Sequence, residues 1–355
     1  MLYALILAGG KGIRLYPLSR SGNPKQFLKL INDKSFLRNT VDRIKPLVSK
    51  ENIFVVTNEE YLDKIYEELP EINRNNIFVE PANKETATCI GLSAVKLLKK
   101  DKDATLVVLP SDHYIEDEKA FRDTILQGVE VAERKRGLVT IGVLPTRPET
   151  GYGYIEMGER VIGEIPTFKV ERFMEKPNIE VAKDFITKGT YVWNSGMFIW
   201  RADVFIREME KYLPKMYRSL MLIYQNLDED KEEEVIREQY ELIDGISVDF
   251  GIMQKTRKAY VIRCEFVWDD IGSFAALGRF LGNKSGDCIF GNAYMEQSEG
   301  CSVFGKDRLI IGFGIKDIII IDTDDVILIM DKNKDQEIKH LVNQLKLNVD
   351  LVKFI

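Results

Sequence analysis

Short apolar runs alternate with amphipathic segments along the first part of the chain. The apolar runs lie at Leu2–Ala8, Ile53–Thr57, Ile77–Val79, Thr105–Leu109 and Leu138–Val143. Uninterrupted runs of this length are typical of strands that are buried on both faces of a parallel sheet. Apolar residues recur at helical spacing in the segments between them, which are Ser35–Ile44, Glu59–Leu69, Thr86–Lys99 and Lys119–Lys135. This alternation predicts an α/β fold with a mixed, mainly parallel sheet that is flanked by helices.

The pattern changes beyond Pro145, where the connections become longer. Further strands are predicted at Gly151–Ile155, Phe168–Phe173 and Gly196–Trp200, and helices over Asp203–Leu213 and Tyr217–Tyr240. The charged run Asp228–Glu234 is interpreted as a solvated helix face or as a turn between helices.

A second part of the chain begins near a turn-rich linker at Gly282–Asp287. Short β-rich runs follow at Leu309–Ile311, Ile318–Ile321 and Val326–Ile329, with a helix near Gln336–Leu347. We therefore expect a large α/β domain over residues 1–282 and a small β-rich domain over residues 283–355. The spacing of the short strands suits a coiled, β-helix-like structure. The sequence leaves open whether this part packs on the large domain or forms a homodimer contact.

The overall charge excludes one class of partner. The 355 residues contain 50 Lys and Arg against 56 Asp and Glu, which gives a net charge of −6. Nucleic-acid binding needs a clustered basic surface, so we expect no nucleic acid, and any phosphate ligand must be bound by a few local cations. Two His residues are too few for a His-rich zinc site, and the four Cys form no CxxC pair.

The pattern of apolar and charged residues predicts no membrane span and no signal peptide. No apolar run approaches the roughly 18 residues of a membrane span. The N-terminal segment lacks the basic region and cleavage site of a signal peptide. We therefore expect a soluble cytoplasmic protein with no membrane partner.

A glycine-rich loop follows the first predicted strand. The string LAGGKGIR at residues 7–14 ends that strand at the edge where open α/β sheets bind ligands. Its glycines let the backbone approach a phosphate, and Lys11, Arg14 and Lys25 add positive charge. The string matches neither the Walker A loop nor the full Rossmann fingerprint, because Leu15 stands where the third glycine would be.

The loop and seven later motifs resemble one enzyme family. The motifs are LAGGKGIRLYPLSR with PKQFL (residues 7–20 and 24–28), FVEPANKETA (78–87), LPSDH (109–113), RPETGYGYI (147–155), FMEKP (173–177), WNSGMF (193–198), SVDF (247–250) and WDDIGS (268–273). In this order they are similar to the signatures of the sugar-1-phosphate nucleotidyltransferases. The branch that they resemble is that of the mannose-1-phosphate guanylyltransferases, also called GDP-mannose pyrophosphorylases.

This resemblance implies a fold and a reaction. The fold would be a Rossmann-like, GT-A-like nucleotidyltransferase domain. The reaction would transfer GMP from GTP to mannose 1-phosphate and yield GDP-mannose and pyrophosphate. Because the nucleophile is already an anion, the protein would act by positioning and charge neutralisation, with Mg²⁺ as cofactor.

The resemblance also assigns roles to residues of this chain. The catalytic set would be Arg14, Lys25, Asp112 and Asp270, with Asp112 and Asp270 as metal ligands. The nucleotide would be bound by Leu7, Ala8, Gly9, Gly10, Lys11, Gly12, Glu80, Pro81, Asn83, Glu85, Thr86 and Ser111. The sugar phosphate would be bound by Gly151, Tyr152, Gly153, Glu175, Lys176 and Asn194.

Simple chemistry is compatible with these roles but does not require them. Mg²⁺ prefers one or two carboxylates together with substrate phosphate oxygens, which Asp112 and Asp270 could supply. Either residue could instead cap a helix or close a tight turn. Lys176 precedes a proline and is therefore expected to be extended. The three Trp are interpreted as core or pocket wall rather than as base-stacking groups.

The chain departs from the family pattern at a few positions. Ile13 stands where the family usually has Thr or Ser, and Tyr16 stands where it usually has Trp. Lys84-Glu85 replaces the usual Arg-Asn. Glu85 could accept hydrogen bonds from guanine N1–H and N2–H, or it could cap the following helix. Two alternatives therefore stay open. The chain could be a pyrophosphorylase for another GDP- or dTDP-sugar, or a non-catalytic regulatory subunit on the same fold.

Overall fold

The computed structural model describes residues 1–161, 163–281 and 287–355. Strands β1–β9 span Leu2–Leu7, Ile53–Asn58, Ile77–Glu80, Thr105–Pro110, Tyr114–Ile115, Leu138–Val143, Tyr154–Val161, Thr167–Met174 and Tyr191–Arg201. Strands β10–β17 span Ala259–Cys264, Trp268–Asp269, Cys288–Phe290, Ala293–Glu296, Ser302–Phe304, Ile310–Phe313, Ile318–Asp322 and Ile327–Asp331. Helices α1–α5 span Phe36–Ile44, Leu62–Glu68, Glu85–Lys100, Glu118–Lys135 and Ile179–Lys188. Helices α6–α10 span Ala202–Tyr212, Pro214–Asn226, Glu232–Leu242, Phe274–Leu281 and Ile338–Lys346.

By packing, the chain forms two compact units. The first comprises residues 1–9, 40–111 and 115–268. The second comprises residues 10–39, 112–114 and 269–355. The second unit thus combines the glycine-rich loop with the C-terminal part of the chain. The predicted linker falls largely on residues 282–286, which lie outside the described residues.

A nine-stranded sheet in the order β3-β2-β1-β4-β9-β6-β10-β8-β7 forms the first unit. The pairs β3–β2, β2–β1, β1–β4 and β6–β10 are parallel, as the alternation of strands and helices predicted. The α/β class and the mixed sheet are confirmed. Because the parallel strands end at one edge, residues that follow β1, β2, β3 and β4 collect there.

The second half of this sheet is not mainly parallel. In the described part of the sheet β9 is antiparallel to β4 and β6, and β8 is antiparallel to β10 and β7. For β7 and β8 the physical reason is connectivity, since they are joined by a short segment and a parallel pair would need a longer crossover.

Two further predictions concern the tryptophans and the charged run of the first unit. Trp193, Trp200 and Trp268 are all buried, as expected for core or pocket-wall residues. The segment Tyr217–Tyr240 forms two helices, α7 and α8, and the charged run lies at their junction. In the described ranges, no helix combines the length and the apolar character that crossing a membrane would need.

The C-terminal part of the second unit is a coiled β structure. Strands β12, β14 and β16 stack in parallel on one face, and β13 and β15 pair in parallel on another. Strand β17 closes the first face antiparallel to β16. Buried Phe274, Leu277, Phe304, Ile319 and Ile321 belong to one apolar cluster of this unit. The expected β-helix-like structure is confirmed.

Candidate active site

Hydrogen bonds from neighbouring strands fix the first part of the glycine loop. The backbone N–H of Ser111 donates to Leu7 O at 3.2 Å, and Thr57 Oγ1 donates to Ala8 O at 3.2 Å. Asn58 Nδ2 donates to Gly9 O at 3.1 Å. Asn58 was not among the predicted site residues, although its place as the polar residue that ends β2 was a usable signal.

Gly12 allows the loop to pack closely on Lys25. Its φ of 58° lies in the left-handed region, where glycine is favoured. A Cβ on Gly12 would lie 2.5 Å from Lys25 Cβ, so a side chain here would displace the lysine. Lys11 and Arg14 are exposed, whereas Lys25 is only 4% exposed. The loop therefore carries two accessible cations, and Lys25 adds a buried one beside Gly12.

The buried ammonium of Lys25 contacts both predicted metal ligands. Lys25 Nζ lies 2.8 Å from Asp112 Oδ2 and also donates to the backbone carbonyl of Asp270. Burial by itself raises the pKa of Asp112, but the Lys25 ammonium and then His113 hold it below its ordinary value. Asp112 is therefore an ionised carboxylate at neutral pH. Its side chain is 33% exposed, so it remains accessible to a ligand.

Two adjacent aspartates, one that ends β11 and one that follows it, have different surroundings. Asp269 is buried, accepts the N–H of Ile271 at 2.8 Å and pairs with Arg279 at 3.0 Å. Asp270 is half-buried and accepts the N–H of Gly272 through Oδ1 at 3.0 Å. A Cβ on Gly272 would lie 2.8 Å from Asp270 Oδ2, so glycine is needed for the carboxylate to pack this closely on the backbone. Asp269 therefore stabilises the turn after β11 through its hydrogen bond and ion pair. Asp270 is the more accessible of the two carboxylates.

The donor set suits a hard divalent cation. In the described part of the chain, no group of three or more His, Cys, Asp and Glu side chains is arranged so that it could hold a metal ion by itself. Two carboxylates with room for substrate oxygens and water are the set that Mg²⁺ accepts. Asp112 and Asp270 fit that description, and Lys25 Nζ joins the carboxylate of the first to the backbone carbonyl of the second.

The predicted sugar-phosphate residues lie together in the first unit. The backbone N–H of Asn194 donates to Gly153 O at 2.8 Å. A Cβ on Gly153 would lie 2.4 Å from Glu175 Oε2. Tyr152 packs edge-on against Trp193 and Trp268, with ring centroids 5.2 and 5.3 Å apart. Polar groups thus adjoin an aromatic wall, an arrangement that suits a sugar ring.

Lys176 is not extended, so that prediction was wrong. Its φ is 46°, in the left-handed region. The exclusion before proline acts against the right-handed helical region and leaves other regions available. The left-handed turn accompanies an ion pair between Lys176 Nζ and Glu175 Oε1 at 3.0 Å. A non-glycine residue in this region costs on the order of 1–3 kcal/mol, a strain that clusters at functional sites.

Asp249 is a further acidic residue of this cluster that sequence reasoning did not single out. Asn194 Nδ2 donates to Asp249 Oδ1 at 2.9 Å. Burial, reinforced by the negative charge of Glu175, raises the pKa of Asp249 to about 7, while the Asn194 hydrogen bond acts in the opposite direction. The SVDF motif contained the signal, but spacing alone could not place residue 249 beside residue 175.

The predicted nucleotide residues after β3 divide into a buried and an exposed set. Glu80 is buried, and its Oε1 accepts a hydrogen bond from Tyr240 on α8 at 3.1 Å. Burial raises the pKa of Glu80 to about 7, against the effect of that hydrogen bond. Pro81 and Asn83 are exposed.

Glu85, for which guanine binding and helix capping were both open, is the first residue of α3. Glu85 is exposed with a φ of 64°, and its backbone N–H donates to Asn83 Oδ1 at 3.3 Å. The N-cap residue Lys84 makes no side-chain hydrogen bond to the start of α3. Thr86 Oγ1 instead accepts the N–H of Val248 at 2.9 Å. The Glu85 side chain is exposed at the first turn of α3, where a ligand can reach its carboxylate.

Two family matches cover most of the chain. Residues 3–281 match the nucleotidyl transferase family, and residues 292–345 match the MannoseP isomerase/GMP-like beta-helix domain. The chain therefore belongs to the nucleotidyl transferase family, with a C-terminal β-helix domain.

Individual relatives narrow this assignment. The mannose-1-phosphate guanylyltransferase of Escherichia coli K12 is 36% identical over 353 residues, which cover 97% of this chain and 73% of the relative. That of Salmonella montevideo is 36% identical over 98% of this chain and 74% of the relative. A crystal structure from Thermus thermophilus, described as a mannose-1-phosphate geranyltransferase, superposes with a TM-score of 0.87 at 31% identity. It covers 97% of this chain and 99% of that chain. Within its family, this chain is a member of the mannose-1-phosphate guanylyltransferases.

Proposed function

We propose that this chain transfers GMP from GTP to mannose 1-phosphate, with Mg²⁺ as cofactor, and releases GDP-mannose and pyrophosphate. The observation that carries this proposal is the contact of one buried ammonium, Lys25, with both Asp112 and Asp270. A non-catalytic subunit would have no need to keep this arrangement. The names of the relatives support the substrates.

The chemistry is a displacement at phosphorus. An oxygen of the sugar phosphate forms a bond to the α-phosphorus of GTP, and the bond to the departing pyrophosphate breaks in line with it. Because the nucleophile carries a negative charge already, no general base is needed, and positioning and charge neutralisation dominate.

The residues have distinct tasks in this scheme. Arg14, Lys11 and the loop amides of residues 9–12 bind the β- and γ-phosphates. Lys25 neutralises the α-phosphate, and Lys176 binds the phosphate of the sugar. Asp112 and Asp270 would hold Mg²⁺, which supplies positive charge to the phosphate oxygens when it is bound.

The exposed Glu85 carboxylate supports guanine as the base. Guanine presents adjacent N1–H and N2–H donors, and one carboxylate can accept both. Adenine and the pyrimidines of UTP and dTTP do not present this pair of donors in the same arrangement. The base would thus be selected by Glu85, where the usual family pattern has Asn.

The decisive experiment is a substrate panel. Four nucleoside triphosphates are combined with mannose, glucose and galactose 1-phosphates, and pyrophosphate release is measured with and without Mg²⁺. We expect GTP with mannose 1-phosphate to be the best pair. If dTTP with glucose 1-phosphate is equally good, the proposed specificity is wrong, and no release from any pair would indicate a regulatory subunit.

A further inference from the structure

Glu175 has a buried oxygen without a hydrogen-bond donor. Its side chain is only 9% exposed, and Oε1 is paired with Lys176. Among the described residues, Glu175 Oε2 has no hydrogen-bond partner. Leaving a buried acceptor unsatisfied is costly, so native structures rarely keep one without a reason. Gly153 lets this oxygen pack closely on the backbone, since a Cβ there would lie only 2.4 Å from Glu175 Oε2.

The amide of Asn194 is held in one orientation. Its Oδ1 accepts a hydrogen bond from the N–H of Gly196 at 3.2 Å, and it lies 3.0 Å from Thr140 Oγ1, whose single proton also has Met197 O within reach at 3.1 Å. Because the Gly196 N–H needs an acceptor, the amide oxygen points toward it and the amide nitrogen points the other way. Asn194 Nδ2 therefore faces Asp249 Oδ1 at 2.9 Å. A fixed amide thus holds the carboxyl of Asp249 in place.

Asp249 and Glu175 form a pair of acidic groups in one polar cluster. The charge of Glu175 acts on Asp249, and Lys176 opposes it more weakly. Burial also disfavours the charge on Asp249, so the pair benefits from hydrogen-bond donors supplied by a ligand. Two neighbouring hydroxyl groups on a sugar ring are donors of this kind.

We propose that Asp249 is a sugar-binding residue that, together with Glu175, accepts hydrogen bonds from hydroxyl groups of the pyranose ring. This inference rests on the proposed function, because it takes the substrate to be a sugar 1-phosphate. The unsatisfied oxygen of Glu175 accepts from one hydroxyl and Asp249 accepts from another. Sugars that lack either hydroxyl leave a buried acceptor unpaired and are bound more weakly.

The test combines a protein variant with altered substrates. Wild type and Asp249→Ala are assayed with the sugar 1-phosphate that the substrate panel identifies as best, and with its 2-, 3-, 4- and 6-deoxy derivatives. We expect Asp249→Ala to raise KM for the full sugar roughly 10- to 100-fold, with KM for GTP unchanged. For one deoxy derivative, KM should change little between wild type and Asp249→Ala, because the hydroxyl that it lacks is the one that Asp249 contacts.

Controls separate this outcome from a folding defect. Asp244→Asn removes an exposed carboxylate five positions earlier and should leave every constant unchanged. Asp249→Asn preserves an acceptor and should raise KM less than Asp249→Ala, which also keeps the test usable if the alanine variant folds poorly. Equal KM changes for all derivatives, or none at all, would overturn the role of Asp249. Failure of wild type to use any sugar 1-phosphate would instead overturn the proposed function.

Discussion

Lys25 Nζ lies 2.8 Å from Asp112 Oδ2, and this ion pair joins two residues that are 87 positions apart. Lys25 is buried, so its charge cannot be replaced by water without a cost. The pair places a cation beside the carboxylate that we assign to the metal site.

Replacing Lys25 by Met should reduce kcat strongly. The variant keeps most of the apolar stem but removes the charge next to Asp112. By analogy with removal of one transition-state donor, we expect a loss of roughly 100- to 1,000-fold in kcat. Steady-state kinetics check this, and Lys29→Met, which removes an exposed lysine, serves as control. A kcat within a factor of three of wild type would show that Lys25 is only structural.

Replacing Asp270 by Asn should abolish turnover and leave folding intact. Asn retains an oxygen that can accept the Gly272 N–H but lacks the charge that binds Mg²⁺. The measurements are pyrophosphate release over a Mg²⁺ titration and the unfolding midpoint. Near-normal activity at low Mg²⁺ would remove Asp270 from the metal site.

Replacing Glu85 by Gln should weaken selection of guanine. The new amide presents a donor to one of the two guanine donors, so we expect KM for GTP to rise about 10-fold or more. The preference for GTP over ITP should shrink as well, because ITP lacks the 2-amino group. Kinetics with both nucleotides check this. Glu67→Gln, an exposed substitution on α2, should change neither value.

Replacing Asp335 by Ala should destabilise the second unit. The buried Asp335 carboxylate accepts the N–H groups of Phe274 and Ala275 at 3.2 and 3.1 Å, and so caps α9. Loss of such a cap costs about 0.5–2 kcal/mol in the free energy of unfolding. Urea unfolding measures the loss. Glu337→Ala, on the same segment but exposed, is the control and should cost much less.

The same Asp335 variant should also impair the metal site. Helix α9 begins four positions after Asp270, so a loosened start displaces that carboxylate. We expect the Mg²⁺ concentration for half-maximal activity to rise. An unchanged Mg²⁺ dependence in a destabilised variant would confine Asp335 to stability.

Replacing Glu80 by Gln should change how stability depends on pH. The pKa of Glu80 is raised to about 7, so the folded protein holds a proton that the unfolded chain releases near pH 4.5. Wild type therefore loses stability as pH rises from about 4.5 to about 7, and the loss is complete above that range. Gln retains the acceptor for Tyr240 and does not titrate.

The free energy of unfolding of the Glu80→Gln variant relative to wild type should therefore increase between pH 5 and pH 8. The upper limit is on the order of 3 kcal/mol. Urea unfolding at several pH values checks this. Parallel pH profiles for the two proteins would contradict the raised pKa.

The local pattern of this sequence determined the secondary structure of its first half and the order of its motifs. Each of the apolar runs from Leu2 to Val143 became a strand within about one residue of its predicted bounds. This worked because burial on both faces of a sheet imposes a continuous apolar run, which is visible in a single sequence. The antiparallel half of the sheet was not visible, because pairing direction depends on connections rather than on residue type.

For the site, the motifs supplied candidates, and only the tertiary structure decided how these residues are arranged. Sequence could not join Lys25 to Asp112 or to the backbone of Asp270, since those contacts bridge 87 and 245 positions. It also missed Asp249, whose environment is made by Asn194 and Glu175 from distant segments. The physical reason is that residue type and spacing record local backbone preference and burial. The hydrogen bonds and charges that tune a site arise from contacts that form only when the chain has folded.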